Sequence, residues 1–343
     1  MNIFVTGGAG FIGSQFIRDL VRLNPQGQVV NFDKLTYAGN LANLEPVAHS
    51  SGYSFVRGDV CDREALLEAV PHGADAIVHF AAESHVDRSI TGALEFVKTN
   101  VLGTQILLDV ARERKVKRFL HISTDEVGGS MKPNQWLDEN SPLEPRSPYA
   151  ASKTAAEHMV RAAGATFGID YVITRTSNNY GPYQFPEKLL PLAICNAANN
   201  LPIPVYGDGM QIRDWVHVSD NCRALLNVMH RGRAGATYHI GGGAPQTNIQ
   251  VLRTLLRLMD KPESLLTTTT DRLGHDRRYA VNYTKIHKEL NWSPLISFET
   301  GLQHTIDWYR DNQAWIDSVR NGDYQRYYQA QYGLSAVCSA LAA

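Results

Sequence analysis

The stretch GGAGFIG at residues 7–13 decides the fold predicted for this chain. It directly follows an apolar run at residues 3–5 and precedes a helical pattern, so it forms the turn between a strand and a helix. Gly7, Gly10 and Gly13 suit a tight turn, close approach of a pyrophosphate to the main chain, and close packing of helix on strand. The free N–H groups of the helix would face the anion. The stretch therefore predicts a dinucleotide-binding site.

Apolar runs alternate with helical patterns on both sides of this turn. The runs lie at residues 3–5, 29–32, 54–56, 76–80, 119–123 and 171–175. Helical patterns lie between them, as at residues 14–23 and 101–115. This alternation predicts an α/β fold with a doubly wound parallel (Rossmann) sheet covered by helices on both faces.

The pattern changes after about Gly181, where prolines accumulate and the alternation becomes irregular. We therefore predict a Rossmann domain at residues 1–180 that carries the catalytic residues. We predict a smaller C-terminal substrate-binding domain at residues 181–330. Some segments of this domain are expected to rejoin the Rossmann sheet. Residues 331–343 are expected to form a frayed tail. The four threonines at residues 267–270 are β-branched and favour a strand.

Composition excludes several classes of protein. The 343 residues contain 33 Lys and Arg against 34 Asp and Glu, so the net charge of -1 gives no electrostatic case for bulk nucleic-acid binding. No apolar run is long enough for a membrane span, and the N-terminus lacks the pattern of a secretory signal. The four cysteines are scattered without metal-ligand spacing, so we predict reduced thiols, no metal and a cytoplasmic location.

Asp33 lies at the end of the second apolar run, 20 residues beyond Gly13. A carboxylate at this spacing accepts the ribose hydroxyls of adenosine and repels a 2′-phosphate, so we predict NAD rather than NADP. Asp59 follows the third run and would face the adenine. Ala81 follows the fourth, where a small residue permits either approach of the cofactor or simply close packing. The predicted NAD contacts are Gly7, Gly10, Phe11, Ile12, Gly13, Asp33, Lys34, Leu35, Thr36, Asp59, Val60, Ala81, Ala82, Ser84, Thr99, Tyr149, Lys153 and Asn179.

Tyr149 and Lys153 lie four residues apart after Pro148, which suits the first turn of a helix. This spacing places both side chains on one helix face. We expect the ammonium to lower the pKa of the phenol and to make it a usable base. Thr124, at the end of a buried run, would hydrogen-bond a substrate oxygen shared with Tyr149.

Asp125 and Glu126 follow Thr124 directly. One interpretation is that these acids cap the N-terminus of a helix, which is common. The interpretation we favour is that two adjacent carboxylates at a strand end beside a redox centre act as an acid and a base on one substrate.

Further motifs link the chain to a known family. They are ESHVDRSI at residues 83–90, TDEV at 124–127, SNNYGPYQFPEK at 177–188, PVYGDG at 204–209 and GHDRRY at 274–279. With the glycine stretch and the Tyr149/Lys153 pair, they resemble the dTDP-glucose 4,6-dehydratase family of the extended short-chain dehydrogenases/reductases. The resemblance extends from residue 1 to about residue 330.

The resemblance implies a reaction that converts dTDP-glucose to dTDP-4-keto-6-deoxyglucose. Tyr149 would take the proton of the C4 hydroxyl while a hydride passes to NAD. Glu126 would remove the C5 proton, and Asp125 would protonate the departing C6 hydroxyl. The hydride would then return to C6, so that NAD is not consumed.

The resemblance also implies a set of substrate contacts, in which Arg213 and Lys188 match the charge of a diphosphate. The contacts are Ser84, Thr124, Asn178, Glu187, Lys188, Leu189, Pro204, Val205, Tyr206, Arg213, Asn248, Asp271, Arg272 and His275. The helices near residues 101–115 and 150–167 commonly form a dimer contact in relatives, so a homodimer is expected.

The chain departs from the family pattern at Gly128 and Gly129, since a tyrosine usually follows Asp-Glu-Val. We expect the missing phenol either to open space beside the acid pair or to loosen the loop. This keeps a nucleotide-hexuronic acid decarboxylase as the alternative, although such relatives usually carry serine in place of Asp125. An inactive NAD-binding sensor is a further alternative, which the retained Tyr149 and Lys153 disfavour.

Overall fold

The computed structural model describes residues 1–320 and residues 324, 326, 329 and 331. The strands in this part of the chain are β1 (Asn2–Thr6), β2 (Gln28–Asp33), β3 (Tyr53–Arg57), β4 (Ala76–His79), β5 (Phe119–Thr124), β6 (Tyr171–Thr176), β7 (Asn178–Tyr180), β8 (Ile203–Tyr206), β9 (Ile212–Arg213), β10 (Trp215–His217), β11 (Thr237–Ile240), β12 (Gln246–Thr247) and β13 (Leu266–Thr269).

The α-helices are α1 (Phe11–Leu23), α2 (Arg63–Ala69), α3 (Val86–Thr91), α4 (Ala93–Phe96), α5 (Gly103–Glu113), α6 (Pro148–Phe167), α7 (Leu189–Ala198), α8 (Val218–Arg231), α9 (Asn248–Leu258), α10 (Thr284–Leu290), α11 (Phe298–Asp311) and α12 (Gln313–Val319). A π-helical turn spans Val97–Leu102, and 3-10 turns span Leu41–Val47, Asp125–Gly128 and Glu263–Leu265. No helix among the described residues has the length and apolar composition that crossing a bilayer requires.

Seven strands form the central sheet in the order β11-β6-β5-β4-β1-β2-β3, and all neighbouring pairs are parallel. Successive side chains of β1 point to opposite faces of the sheet. Ile3 and Val5 pack with α1 and α8 on one face, whereas Phe4 packs with α5 and α6 on the other. The predicted doubly wound sheet is therefore confirmed.

The strand order reverses at β1, which lies between β2 and β4. A crevice forms at the carboxyl ends of the strands at such a switch point, and ligands bind there. Gly7 follows β1 with φ +71°, and a Cβ at this position would lie 2.5 Å from the main-chain N of Ala81. Only glycine fits, because the backbone is left-handed and the turn after β4 is in contact.

The C-terminal half of the chain contributes to two layers. β11 pairs with β6 and α8 packs beside α1, so residues 218–240 belong to the Rossmann layer. The boundary predicted at residue 180 therefore does not separate the Rossmann layer from the second layer. The prediction had allowed some segments after residue 180 to return to the sheet, and residues 218–240 do so. α7, α9, α11 and α12 form a second core. The strand predicted at residues 267–270 is present as β13, and the tail beyond Gln331 lies outside the described residues.

Candidate active site

The first cavity lies at the carboxyl ends of β1 and β4 and is lined by the glycine stretch. Every predicted NAD contact lines it except Leu35. Leu35 has φ +56°, its N–H donates to Asp33, and its side chain packs against the core beside α1. No side chain caps the N-terminus of α1, which leaves its first N–H groups free for an anion. A Cβ on Gly13 would lie 2.4 Å from the carbonyl oxygen of Gly7, so the cradle requires glycine.

Asp33 is fixed beside this cavity by two main-chain donors. Its Oδ1 accepts from the N–H of Leu35 at 2.8 Å and its Oδ2 from the N–H of Ala9 at 2.9 Å. Burial raises the pKa of this carboxyl, and the two hydrogen bonds oppose that rise. The adjacent Lys34 ammonium lies 2.8 Å from Asp59, so its charge is already paired. These residues fit the ribose of NAD.

Tyr149 lies in the first turn of α6, next to Pro148, where Ser147 caps the helix by accepting from the N–H of Ala150. Thr124, at the end of β5, lies close enough to the Tyr149 hydroxyl to oppose a rise in its pKa. Burial raises the pKa of Tyr149 well above its ordinary value, and Glu126 raises it further. The expected lowering by Lys153 is therefore wrong for the protein alone, because desolvation of the phenolate dominates.

Lys153 is 4% exposed, and its Nζ donates to the carbonyl oxygen of Ile122 at 2.7 Å. Burial lowers its pKa to about 8, while Glu157, one turn further along α6, opposes that change. The charge that would stabilise a Tyr149 phenolate is therefore lost at moderately alkaline pH.

We expect the Lys153 ammonium to titrate near pH 8, because its charged form has lost most of its water. The measurement is the Cε chemical shift in protein labelled with ¹³C-lysine, with the Lys153→Met variant to assign the signal. A midpoint at the ordinary value of 10.5 would contradict the environment described here.

The acid pair lies on a 3-10 turn, Asp125–Gly128, and not at the start of a longer helix. Thr124 caps this turn by accepting from the N–H of Glu126 at 3.2 Å, so the capping interpretation of the acids is not needed. Burial raises the pKa of Asp125 well above its ordinary range, and Glu126 adds to the rise. The pKa of Glu126 is also raised by burial, but Arg213 and other cations oppose it. Asp125 thus suits an acid and Glu126 a base.

Both expectations for Gly128 are wrong. The side chain of Leu137 fills the space beside its Cα. The loop is also held, since the N–H of Gly129 donates to Glu126 at 3.1 Å and the N–H of Glu144 donates to Val127 at 3.0 Å.

The second cavity lies between α3, β8 and the loop at residues 271–279, and it contains most of the predicted substrate contacts. Those that line it are Asn178, Glu187, Lys188, Leu189, Pro204, Tyr206, Arg213, Asn248, Arg272 and His275. Ser84 and Thr124 line the first cavity instead. Val205 is buried in the second core, and Asp271 hydrogen-bonds His275 and Gln211 outside both cavities. The two cavities share Glu126, Asn178, Asn179, Gln184, Glu187 and Lys188.

Three cations of the second cavity are held by local contacts. Arg213 donates to the carbonyl oxygen of Asp276 at 3.1 Å and stacks on the Tyr279 ring, 4.3 Å from its centroid. Lys188 donates to the carbonyl oxygen of Ser84 at 3.0 Å, and Arg272 pairs with Asp87. The arrangement can receive a diphosphate from several sides.

Sequence reasoning missed several residues that line the second cavity. Those with ionisable side chains are His85, Asp87, Asp276 and Tyr279. All four lie in the motifs at residues 83–90 and 274–279, so the signal was in the segments already singled out. Among the residues the structure describes, no group of three or more His, Cys, Asp or Glu side chains is arranged to hold a metal ion.

Comparisons with known proteins agree with this geometry. A family model described as GDP-mannose 4,6 dehydratase matches residues 4–305. The dTDP-glucose 4,6-dehydratase of Streptomyces niveus is 50% identical over 327 residues, which cover 94% of this chain and 97% of that protein. The Escherichia coli enzyme of the same name is 46% identical over 358 residues, 97% of this chain and 99% of that one.

Solved structures give the same result. The crystal structure of DesIV, the dTDP-glucose 4,6-dehydratase of Streptomyces venezuelae, holds NAD and dTDP. It matches with a TM-score of 0.91 and 49% identity, covering 93% of this chain and all of that one (100%). The UDP-glucose 4-epimerase of Thermotoga maritima matches with a TM-score of 0.85 at 29% identity, over 91% of this chain and 100% of that one. The chain therefore belongs to the dTDP-glucose 4,6-dehydratase family.

Proposed function

We propose that this protein is an NAD-dependent dTDP-glucose 4,6-dehydratase that forms dTDP-4-keto-6-deoxyglucose. The observation that carries this proposal is the meeting of the two cavities at Glu126. A sugar attached to a diphosphate in the second cavity would reach the acid pair and Tyr149 together. Gly7, Gly10, Gly13 and Asp33 would hold NAD in the first cavity, where it would supply the acceptor for a hydride from C4 and the donor of that hydride to C6.

The first step needs a base at the C4 hydroxyl, and Tyr149 supplies it. Thr124 lines the same cavity, and its proximity to the phenol opposes the rise in the pKa of Tyr149. Lys153 lies one helical turn further along α6, and its ammonium stabilises the phenolate that forms. Because burial and the neighbouring Glu126 raise the pKa of Tyr149, positive charge close to the phenol favours loss of its proton.

The second step removes water across C5 and C6. The ketone at C4 acidifies the C5–H, and Glu126 takes that proton and gives it back to C5 when the hydride is added at C6. Asp125, whose pKa is raised by burial and which is therefore suited to act as an acid, gives a proton to the departing C6 hydroxyl. Arg213 and Lys188 hold the diphosphate, so the two carboxylates act on a sugar whose other end is fixed.

The decarboxylase was kept as an alternative because the missing phenol at position 128 was expected to open space beside the acid pair. In the described part of the chain Leu137 fills that space, so nothing there favours the decarboxylase. The inactive sensor is also not favoured, since Thr124, Tyr149 and Lys153 line one cavity. The discriminating experiment supplies purified protein with dTDP-glucose, dTDP-glucuronate and UDP-glucuronate in parallel. We expect the alkali absorbance of a 4-keto-6-deoxy sugar from dTDP-glucose. CO2 release from a hexuronate without that product would overturn the proposal.

NAD is the cofactor, and we expect Asp33 to make the protein bind NAD more tightly than NADP. Asp33→Ala should bring the affinities for NAD and NADP closer together, because the repulsion of a 2′-phosphate is lost. The measurement is the ratio of the two dissociation constants by calorimetry. The control is Glu68→Ala on the exposed side of α2. It changes the net charge by the same amount as Asp33→Ala and should leave that ratio unchanged. Parent protein that binds NADP as tightly as NAD would contradict the assignment.

We further propose a homodimer located in the cytoplasm. Exposed apolar side chains along α4 and the π-helical turn, with Leu94 75%, Val97 50% and Leu102 49% exposed, support an interface on this face. Cys61, Cys195 and Cys222 are free thiols, which is the usual state in a reducing compartment. The molar mass in solution tests the dimer.

A further inference from the structure

The turn that carries both catalytic carboxylates ends at Gly128, and one side chain packs directly against that glycine. A Cβ on Gly128 would lie 2.4 Å from Cδ1 of Leu137 and 2.7 Å from its Cδ2. Leu137 is 1% exposed, so its side chain cannot swing into solvent without leaving a cavity. It therefore occupies the space that a side chain at position 128 would take.

Leu137 is fixed at its main chain on both sides. Its N–H donates to Ala280 at 2.9 Å, and its carbonyl oxygen accepts from the N–H of Asn282 at 2.8 Å and from the ring of His239 at 3.0 Å. It forms a parallel bridge with Val281. Together with Met131, these two residues form a small cluster separate from the larger cores. The position of the Leu137 side chain is thus set by the segment that contains Val281.

That same segment forms a wall of the second cavity. Asp276 and Tyr279 line the cavity, and the carbonyl oxygen of Asp276 accepts from Arg213. The main chain of the segment also pairs with Ile212, since the N–H of Tyr279 donates to its carbonyl oxygen at 3.0 Å. Leu137 consequently joins the acid-bearing turn to the wall that holds the substrate.

Tyr149 is positioned by different contacts. It lies on α6, whose N-terminus is capped by Ser147, and Lys153 on the same helix donates to β5. Neither of these contacts involves Leu137. A change at Leu137 should therefore displace Asp125 and Glu126 relative to the sugar while Tyr149 stays in place.

We propose that Leu137 is a positioning residue for water elimination, acting through its contact with Gly128. The proposal rests on the proposed function, because only that function separates a step at C4 from a step at C5 and C6. A displacement of about 1 Å in a catalytic group can lower a rate by about 10²-fold. The loss should fall on elimination and not on C4 oxidation.

The test uses three variants of the full-length enzyme with NAD. Leu137→Ala should lower kcat by about tenfold or more, and bound NADH should accumulate because oxidation outruns elimination. Gly128→Val should do the same, since three added carbons collide with Leu137. The double variant exchanges three carbons between the two positions and keeps the total volume, so it should recover kcat to within about threefold of the parent and abolish the accumulation.

Leu255→Ala is the matched control, because Leu255 is fully buried in the second core and touches neither cavity. It should lower the unfolding temperature without accumulation of NADH. If Leu137→Ala fails to fold, Leu137→Val removes less volume and should show the same accumulation more weakly. Slower turnover of Leu137→Ala or Leu137→Val without NADH, or a double variant no better than the single ones, would overturn the proposal. A parent enzyme that forms no 4-keto-6-deoxy product would instead refute the proposed function.

Discussion

Tyr149→Phe is expected to lower kcat by about 10²–10⁴-fold, which is the contribution of a well-placed acid–base group. The substitution removes one oxygen and keeps the ring in its buried place against Phe96. α6 keeps its cap at Ser147 and its contact through Lys153. The fold should therefore stay intact while the base at the C4 hydroxyl is lost.

The measurement is steady-state turnover of dTDP-glucose, together with NADH formed in a single turnover. Both should fall in parallel, because loss of the base stops the reaction before hydride transfer. Tyr283→Phe removes a phenolic oxygen that lines neither cavity and should keep full activity. If Tyr149→Phe keeps turnover within tenfold of the parent, the proposed role of Tyr149 is wrong, because a rate loss this small is below the usual contribution of an acid–base group.

Glu126→Gln is expected to stop the reaction one step later. An amide cannot take the C5 proton, so elimination should slow by about 10²-fold or more while C4 oxidation proceeds. Bound NADH should accumulate with dTDP-glucose, and its absorbance is the readout. This pattern distinguishes Glu126 from Tyr149, whose loss should leave no NADH.

Asp125→Asn should slow water loss less than Glu126→Gln, because a water molecule can partly replace an acid. Glu144→Gln, an exposed change next to the same loop, should leave turnover unaltered and serves as the matched control. Full turnover of Glu126→Gln, or its failure without NADH, would contradict the assignment of the base. Release of CO2 from a hexuronate by Glu126→Gln would point to the decarboxylase, since that reaction needs no base at C5.

The sequence by itself determined the fold class and the chemistry that can occur. The glycine stretch at residues 7–13 needs a strand before it and a helix after it, and both are local patterns. The spacing of Tyr149 and Lys153 follows from the helical repeat, which requires no tertiary information. Asp33 is found by its distance along the chain, because the βαβ unit has a nearly fixed length.

Only the tertiary structure decided how these residues act together. Residues far apart in the chain, such as Glu126 and Arg213, line one cavity because the C-terminal segments fold back over the strand ends. β11 returned to the Rossmann sheet because its buried edge partner β6 offered unpaired main-chain groups, which no local pattern records. The pKa of Tyr149 was misjudged from its neighbours in sequence, since burial and the two neighbouring carboxylates raise it. The sequence does not indicate that Leu137 fills the space that a side chain at position 128 would occupy. Such a steric contact depends on tertiary packing and not on order along the chain.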